Sequence, residues 1–233
     1  TDTPTISRAL CFKITSGDDS TTGTGEIILD WTNISSQADI SVYDENDNLL
    51  DYYFESFDAT NETAVIWVYR DWVRDGSVQA KIAYGDGPSD QSVDASTVFD
   101  KEPNLQAGYL FNESSGDLLD VTSNNNDGTV IGATQGESGI VDGAYSFDGA
   151  DDYVEIPTDT FDFAIDASFT FELWINVSSL SSYSGPSILN ANGDVGARID
   201  SGGNELLFGV YDGSNFVQVG TGSIDDGLWH LVS

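Results

Sequence analysis

Nucleophilic catalysis by a serine or cysteine needs a neighbouring base, most often histidine, and this sequence contains one histidine, His230. It stands in the phrase W-H-L-V at 229–232, where a ring beside Trp229 reads as a structural residue rather than a base. The sole cysteine, Cys11, is flanked by Leu10 and Phe12. It can form no intrachain disulfide and no cysteine-based metal centre, and between two apolar neighbours it reads as a small buried hydrophobe. Glycoside hydrolysis places two carboxyls about 5 to 9.5 Å apart across the scissile bond. The E-x-D-x-x-E phrase that would set such a pair on one strand face does not occur, and with 40 Asp and Glu some pairs come close by chance. Gly23, Thr24 and Gly25 lack both the spacing and the following lysine of a phosphate-binding loop. These residues predict a chain that binds rather than one that catalyses.

Candidate binding residues are aromatic rings set in short polar loops. Tyr183 lies in S-S-Y-S-G-P at 181–186, and Tyr211 and Phe216 bound Y-D-G-S-N-F at 211–216. Rings so placed can stack on sugar faces while Ser, Asn and Asp supply hydrogen bonds. The same rings also suit the packing of a hairpin. Asn33, Asn61, Asn112 and Asn176 each open an N-x-S/T sequon, which an exported chain could carry glycosylated.

Charge narrows the partners. Forty acidic residues against seven basic ones give a formal net charge of −33, spread along the whole length. Arg8, Lys13, Arg70, Arg74, Lys81, Lys101 and Arg198 are too scattered to form the basic stripe that displaces counterions from nucleic acid. Anionic lipid is disfavoured for the same reason. The hydrophobic share of 39% and aromatic share of 12% are enough to build real cores, so this is no disordered acidic tail. A folded, acidic, lysine-poor chain resembles proteins of extreme halophiles, where dense salt screens self-repulsion. The longest apolar stretches run to about five residues, against roughly 20 for a membrane span, so no membrane insertion is expected. No signal peptide is visible. A start at Thr1 in a chain without methionine is what removal of an initiator methionine leaves, and cleavage of an export signal leaves the same.

The elements that must position these residues read as strands. In 168–176, Phe169, Phe171, Leu173 and Ile175 recur at period two and form one apolar face. Further short alternating runs lie at 26–31, 39–43, 64–69 and 78–84, with a hairpin turn at 44–48. Turn pairs at Ser115-Gly116, Asp127-Gly128, Asp148-Gly149, Asn192-Gly193 and Asp212-Gly213 supply positive φ. Many short strands between such turns predict an all-β chain of two β-sandwich domains, with no amphipathic helix of useful length. Residues 101–104, polar and containing Pro103, read as a linker between domains at 1–100 and 105–233.

Five phrases carry a resemblance: Y-L-F-N-E-S-S-G at 109–116, D-V-T-S-N-N-N-D-G-T-V at 120–130, Y-S-F-D-G-A-D-D-Y-V-E-I-P at 145–157, F-T-F-E-L-W-I-N at 169–176 and G-L-W-H-L-V at 227–232. Together they resemble the laminin-G-like, concanavalin A-type jelly roll. The resemblance implies a sandwich whose relatives mostly bind glycans or proteins. In that family W-H-L-V opens a strand in the second half of the domain, so the expectation is that further strands follow Ser233 or come from another chain, since an open sandwich exposes strand edges. Many members hold one calcium ion near a sandwich edge, and oxygen ligands suit that ion. By resemblance the candidate ligands are Asp120, Asn124, Asn126, Asp148 and Asp151. The same side chains also suit Asx turns that cap their own backbone.

Upstream, A-D-I-S-V-Y-D-E-N-D-N-L-L-D-Y-Y-F-E-S-F-D-A-T-N-E-T-A-V-I-W-V at 38–68 and K-I-A-Y-G-D-G-P-S-D at 81–90 are similar to an uncharacterised β-sandwich domain. That domain often precedes laminin-G-like modules in large surface proteins of archaea and bacteria. Members often read Tyr-Trp before the Glu-Ser where this chain has Tyr53-Phe54-Glu55-Ser56, and Tyr-Tyr-Gly-Asn where it has Ala83-Tyr84-Gly85-Asp86. The resemblance implies architecture and no mechanism.

The expectation from sequence is a non-enzymatic, surface-displayed protein of a halophilic system: a virion spike, turret or fibre component that attaches to a host cell-envelope glycan or glycoprotein. It would work as a homo-oligomer or within a larger surface assembly. Alternatives are a cell-surface adhesin or pilus-associated protein of a halophilic archaeon, and a non-catalytic module of a carbohydrate-active enzyme.

Overall fold

The structure, a computed structural model, describes residues 5–17, 20–21, 26–73, 80–85, 90–102, 104–140, 142–157, 169–177, 187–191, 195–200, 205–211, 216–224 and 226–232. The chain divides into two compact units. The first comprises Thr1–Asp127 and Gln135–Tyr145; the second comprises Gly128–Thr134 and Ser146–Ser233.

The first unit is built on strands β1 (Thr5–Ser16), β2 (Ser20–Thr21), β3 (Glu26–Leu29), β4 (Ile40–Tyr43), β5 (Asp51–Asp58), β6 (Thr63–Val73) and β7 (Lys81–Tyr84), followed by a single-turn helix α1 (Ala95–Phe99). Five strands form one sheet in the order β2-β3-β1-β6-β5. The long β1–β6 ladder is antiparallel, with Cys11 opposite Trp67, while β3 runs parallel to β1. Strands β4 and β7 pair separately, Val42 opposite Ile82.

Alternation sorts each strand between two faces. Ile14, Tyr52, Phe54, Ala64, Ile66 and Val68 point into a core shared with Ile40 and Val42, and Ile82 and Tyr84 of β7 pack against it. The β4–β7 pair thus closes a two-layer sandwich on that face. Tyr52 also anchors β4, its buried hydroxyl donating to the Ile40 carbonyl at 2.9 Å. Tyr53, Trp67, Tyr69 and Ala9 occupy the opposite face, covered by Val98 and Phe99 of α1 and by Leu105, Leu110 and Val121. The Trp67 and Phe99 rings lie 5.2 Å apart. A β-bulge between Phe54 and Ser56 inserts Glu55 without a ladder partner. This extra residue lets Phe57 return to the main core, where it meets Phe54 and Trp31.

Strand ends depart from the sequence reading for local reasons. The run at 26–31 stops at Leu29, because the Asp30 carboxylate accepts from the Thr32 N–H and hydroxyl and caps a 3₁₀ turn over Trp31–Asn33. Asp39 belongs to a second such turn, its carboxylate taking the Ser35 and Ser36 N–H groups, so the strand starts at Ile40. The 64–69 run extends to Thr63–Val73. Strand β7 begins at Lys81, and residues 78–79 lie outside the described residues. The turn at 44–48 forms around Asp44, whose carboxylate accepts from the N–H groups of Asn46 and Asn48 and from the Asn48 amide.

The segment read as a linker, 101–104, lies inside the first unit. The Tyr69 hydroxyl donates to the Lys101 carbonyl, Lys101 pairs with Asp51, and the Ala9 N–H donates to Glu102. Polar composition therefore marks a surface-bound return of the chain here, while the division by contacts falls between Asp127 and Gly128.

Later strands are β8 (Thr129–Ile131), β9 (Thr134–Ser138), β10 (Gly143–Ser146), β11 (Tyr153–Glu155), β12 (Leu173–Asn176), β13 (Ser187–Ala191), β14 (Val195–Asp200), β15 (Glu205–Tyr211), β16 (Phe216–Ser223) and β17 (Trp229–Val232). In the second unit β8 pairs with β11, β12 with β17, and β13 to β16 form an antiparallel meander in chain order. Phe169, Phe171, Leu173 and Ile175 are half-buried and the residues between them exposed, so the predicted alternation holds although the ladder starts only at Leu173. Among the predicted turn glycines, Gly116 and Gly149 take positive φ, 90° and 74°, whereas neither Asp127 nor Gly128 does, Gly128 lying in extended bridge pairing just before β8. Gly193 and Gly213 lie outside the described residues.

Candidate functional site

The five candidate cation ligands fall into two groups in different units. Asp120, Asn124 and Asn126 belong to the first, and Asp148 and Asp151 to the second.

In the first group both carboxylate oxygens of Asp120 are occupied by the protein. Asp120 Oδ1 accepts from the Gly108 and Thr122 N–H groups, each at 3.0 Å, and Oδ2 accepts from the Asn126 N–H at 3.0 Å. The Thr122 hydroxyl reaches both oxygens at 2.9 Å. Asn124 and Asn126 turn their amide NH₂ groups onto the Gln106 carbonyl at 3.0 and 2.9 Å. The Tyr109 hydroxyl donates to the Asn126 carbonyl at 2.6 Å, and burial pushes that phenol's pKa up. This is the geometry of a loop held by its own side chains.

The second group is open. Carboxylate oxygens of Asp148, Asp151 and Asp152 lie within 4.8 Å of one another in an exposed turn. Asp148 Oδ1 accepts from the Ala150 N–H at 2.8 Å and the Asp151 N–H at 3.4 Å, and Asp152 Oδ2 accepts from the Asp148 N–H at 2.9 Å. That leaves Asp148 Oδ2, Asp152 Oδ1 and both oxygens of Asp151 without a protein donor among the described residues. Gly132 makes room for Asp152: a Cβ there would stand 2.0 Å from its Oδ1. Three carboxylates so close repel one another, and a hard divalent cation such as calcium would relieve that repulsion with the oxygen donors it prefers. Asp152 was missed as a candidate, although it adjoins Asp151 in the same turn.

Of the candidate sugar-stacking rings, Tyr183 lies outside the described residues. Tyr211 and Phe216 are register partners at the end of the β15–β16 ladder, flanking 212–215. Another aromatic went unnoticed. Trp174 is 44% exposed and pairs across the ladder with Leu231, itself 54% exposed. The alternation already placed it out of phase with Phe171, Leu173 and Ile175, on the outer face of β12.

His230 contacts a carboxylate rather than the expected neighbour Trp229, and Cys11, expected buried, is half-buried. His230 Nε2 lies 2.9 Å from Asp226 Oδ1, and this contact, with the Leu228 N–H, holds the Asp226 carboxyl below its usual range. Burial pushes the Cys11 thiol up to about 12, helped by the charges of Glu55 and Asp142, so at neutral pH it is a thiol rather than a nucleophilic thiolate.

Glu55 is a feature that pattern reading does not reveal. It follows Tyr53 at period two on the face of Trp67, whose indole N–H donates to Oε2 at 2.7 Å. Desolvation is the main cause raising its carboxyl to about 7; the Trp67 hydrogen bond opposes the rise, and the charges of Asp142 and Glu113 add to it.

Two β-sandwich modules in series, the second lectin-like, form the class that this architecture defines. Residues 36–129 match the family described as Domain of unknown function (DUF2341), and residues 148–233 match the Concanavalin A-like lectin/glucanases superfamily. The chain thus carries a DUF2341 domain followed by a laminin-G-like, concanavalin A-like jelly roll. No curated protein and no solved structure matches it. Domains of the second type are typically non-catalytic binding modules, and its presence fits a carbohydrate-binding or adhesion role. Among the described residues, no helix is long and apolar enough to cross a membrane.

Proposed function

We propose that this chain is a non-enzymatic adhesion module, displayed on a surface in high salt, that recognises a glycan or glycoprotein of a cell envelope. The observation that carries the reading is the concanavalin A-like domain at 148–233. The exposed Trp174–Leu231 pair supports it, offering a flat apolar platform of the kind on which sugar faces stack. The net charge of −33 sets the environment: concentrated salt screens that self-repulsion, and the protein unfolds at lower temperature as salt is withdrawn. In the finer reading the chain is a spike, turret or fibre component of a virus of halophilic archaea, working as a homo-oligomer or in a larger assembly. Calcium at the turn of Asp148, Asp151 and Asp152 is the proposed cofactor, holding that turn rigid.

The test is binding of the purified protein, in near-saturated salt, to isolated envelopes of halophilic archaea before and after glycan removal. Saturable binding that disappears with the glycans, and weakens about tenfold or more in Trp174→Ala, is expected. Absent binding, or binding indifferent to glycan removal, overturns the glycan reading. A reading frame encoding an export signal and a membrane anchor would replace virion display with a cell-surface adhesin.

A further inference from the structure

The sequons at Asn33, Asn61, Asn112 and Asn176 sit in four different settings. A glycan transferase must grip the asparagine amide together with the hydroxyl two residues on, so the sequon has to leave its place in the fold, if only briefly. Three of the four are tied down. Ile34, the middle residue of the first, is 5% exposed in the main core, and the Ser35 hydroxyl is spent on Asp39 Oδ2 at 3.0 Å. Asn112 is half-buried against Gly143, where even a Cβ would stand 2.5 Å from its Cα. Asn176 pairs with Trp229 inside the β12–β17 ladder, its amide donates to the Gly227 carbonyl at 3.0 Å, and the Gly227 N–H donates to the Val177 carbonyl at 2.9 Å.

The fourth is presented outward. Asn61-Glu62-Thr63 closes the β5–β6 hairpin, and residues 59–62 are all exposed. Asp58 shapes this turn: its Oδ1 accepts from the Thr60 and Asn61 N–H groups at 2.8 and 3.0 Å, and its Oδ2 takes the Asn61 amide at 2.6 Å. Glu62 follows with a φ of 56°, a left-handed conformation that strains a residue carrying a side chain and so makes the turn easier to open. Thr63 is the end pair of its ladders, opposite Asp58 and Thr15, and releasing it frays an edge rather than breaking a strand. Its hydroxyl has no hydrogen-bond partner among the described residues. Thr63 is also the one threonine at the third position, where Ser35, Ser114 and Ser178 stand in the other three sequons, and its β-branch leaves the hydroxyl fewer rotamers.

We propose that Asn61 is a glycan-attachment site, served by a transferase that draws on a lipid-phosphate-linked oligosaccharide. Asn61 Nδ2 bonds to the anomeric carbon, the bond from that carbon to the phosphate oxygen breaks, the lipid phosphate leaves with the bonding electrons, and one amide proton is lost. The second amide N–H stays available to Asp58, so the turn carries the sugar without being dismantled. The site lies at the end of the sheet where β1, β3 and β5 finish and β6 begins. A sugar there keeps that end of the first unit in solvent, clear of any subunit contact.

The site rests on the surface-display reading for its encounter with a transferase, whereas the experiment supplies that enzyme directly and so separates a failure here from a failure of display. Purified, folded full chain is incubated in high salt with membranes of a halophilic archaeon, which hold transferase and lipid-linked oligosaccharide, beside a free N-x-T peptide as acceptor control. Intact mass should rise by one glycan, and glycopeptide mapping should place it on Asn61. Asn61→Gln and Thr63→Val should each lose it, the second keeping the amide and the strand preference while removing the hydroxyl. An unmodified chain in a reaction that modifies the peptide, equal modification of Asn33, Asn112 or Asn176, or a glycan retained in Thr63→Val overturns the assignment.

Discussion

Gly143 lies against Asn112 with no room for a side chain: a Cβ there would stand 2.5 Å from the Asn112 Cα and 2.6 Å from the Phe111 carbonyl oxygen. Backbone lines both sides of this contact, so a side chain cannot be accommodated by a rotamer change. Gly143→Ala should destabilise the first unit by about 1 to 3 kcal/mol, the usual range for overpacking. Gly149→Ala, with nothing within 4 Å but a φ of 74°, should cost only the backbone strain, about 1 kcal/mol. Thermal unfolding of both variants in high salt compares them, and equal shifts would show that the close approach is relaxed in solution.

Asp120 organises the loop that follows it, and both its oxygens face donors. Asp120→Asn replaces one acceptor by an NH₂ group that must face an N–H or the Thr122 hydroxyl. A loss of about 1 to 3 kcal/mol is expected. The melting temperature in high salt measures it, and a wild-type value would mean that water serves these donors equally well.

Calcium at the acidic turn of the second unit makes a separable prediction. Titration calorimetry with calcium in chelator-treated protein should show a site that Asp148→Asn with Asp151→Asn removes, while Asp120→Asn leaves it intact. Heat absent from the wild type, or retained in the double variant, refutes metal binding at this turn.

For Cys11, the raised thiol pKa has a kinetic consequence. Alkylation by iodoacetamide at pH 8 should be more than about tenfold slower in the folded protein than in denaturant, because the thiolate fraction and access both fall. Equal rates would place the thiol in solvent.

The sequence made the fold class legible because alternation survives wherever a strand buries one face. The phase of Phe169, Phe171, Leu173 and Ile175 is the phase of their burial. Strand ends were less legible, since they depend on single carboxylates such as Asp30 and Asp39, whose capping role competes with continuation of the strand. The site was legible only in part. Composition picks out oxygen-rich loops, but whether an oxygen is spent on its own backbone, as in Asp120, or left open, as in Asp151, depends on geometry that spacing does not encode. Glu55 was invisible for a related reason: alternation puts it on the face of Tyr53 and Trp67, where it reads as an outward polar residue, and only the later chain that covers that face makes it a half-buried one.

The chain passes between its two units at three places, after Asp127, after Thr134 and after Tyr145. The first unit is therefore not one continuous run of sequence, and the first family match, ending at residue 129, stops before residues 135–145 of that unit. A polypeptide ended there would strip Glu113 of the Tyr145 hydroxyl and expose the Phe111 ring. Gene shuffling that exchanged the lectin-like module at that boundary would carry away part of its neighbour's structure, so the pair is inherited most safely as one piece.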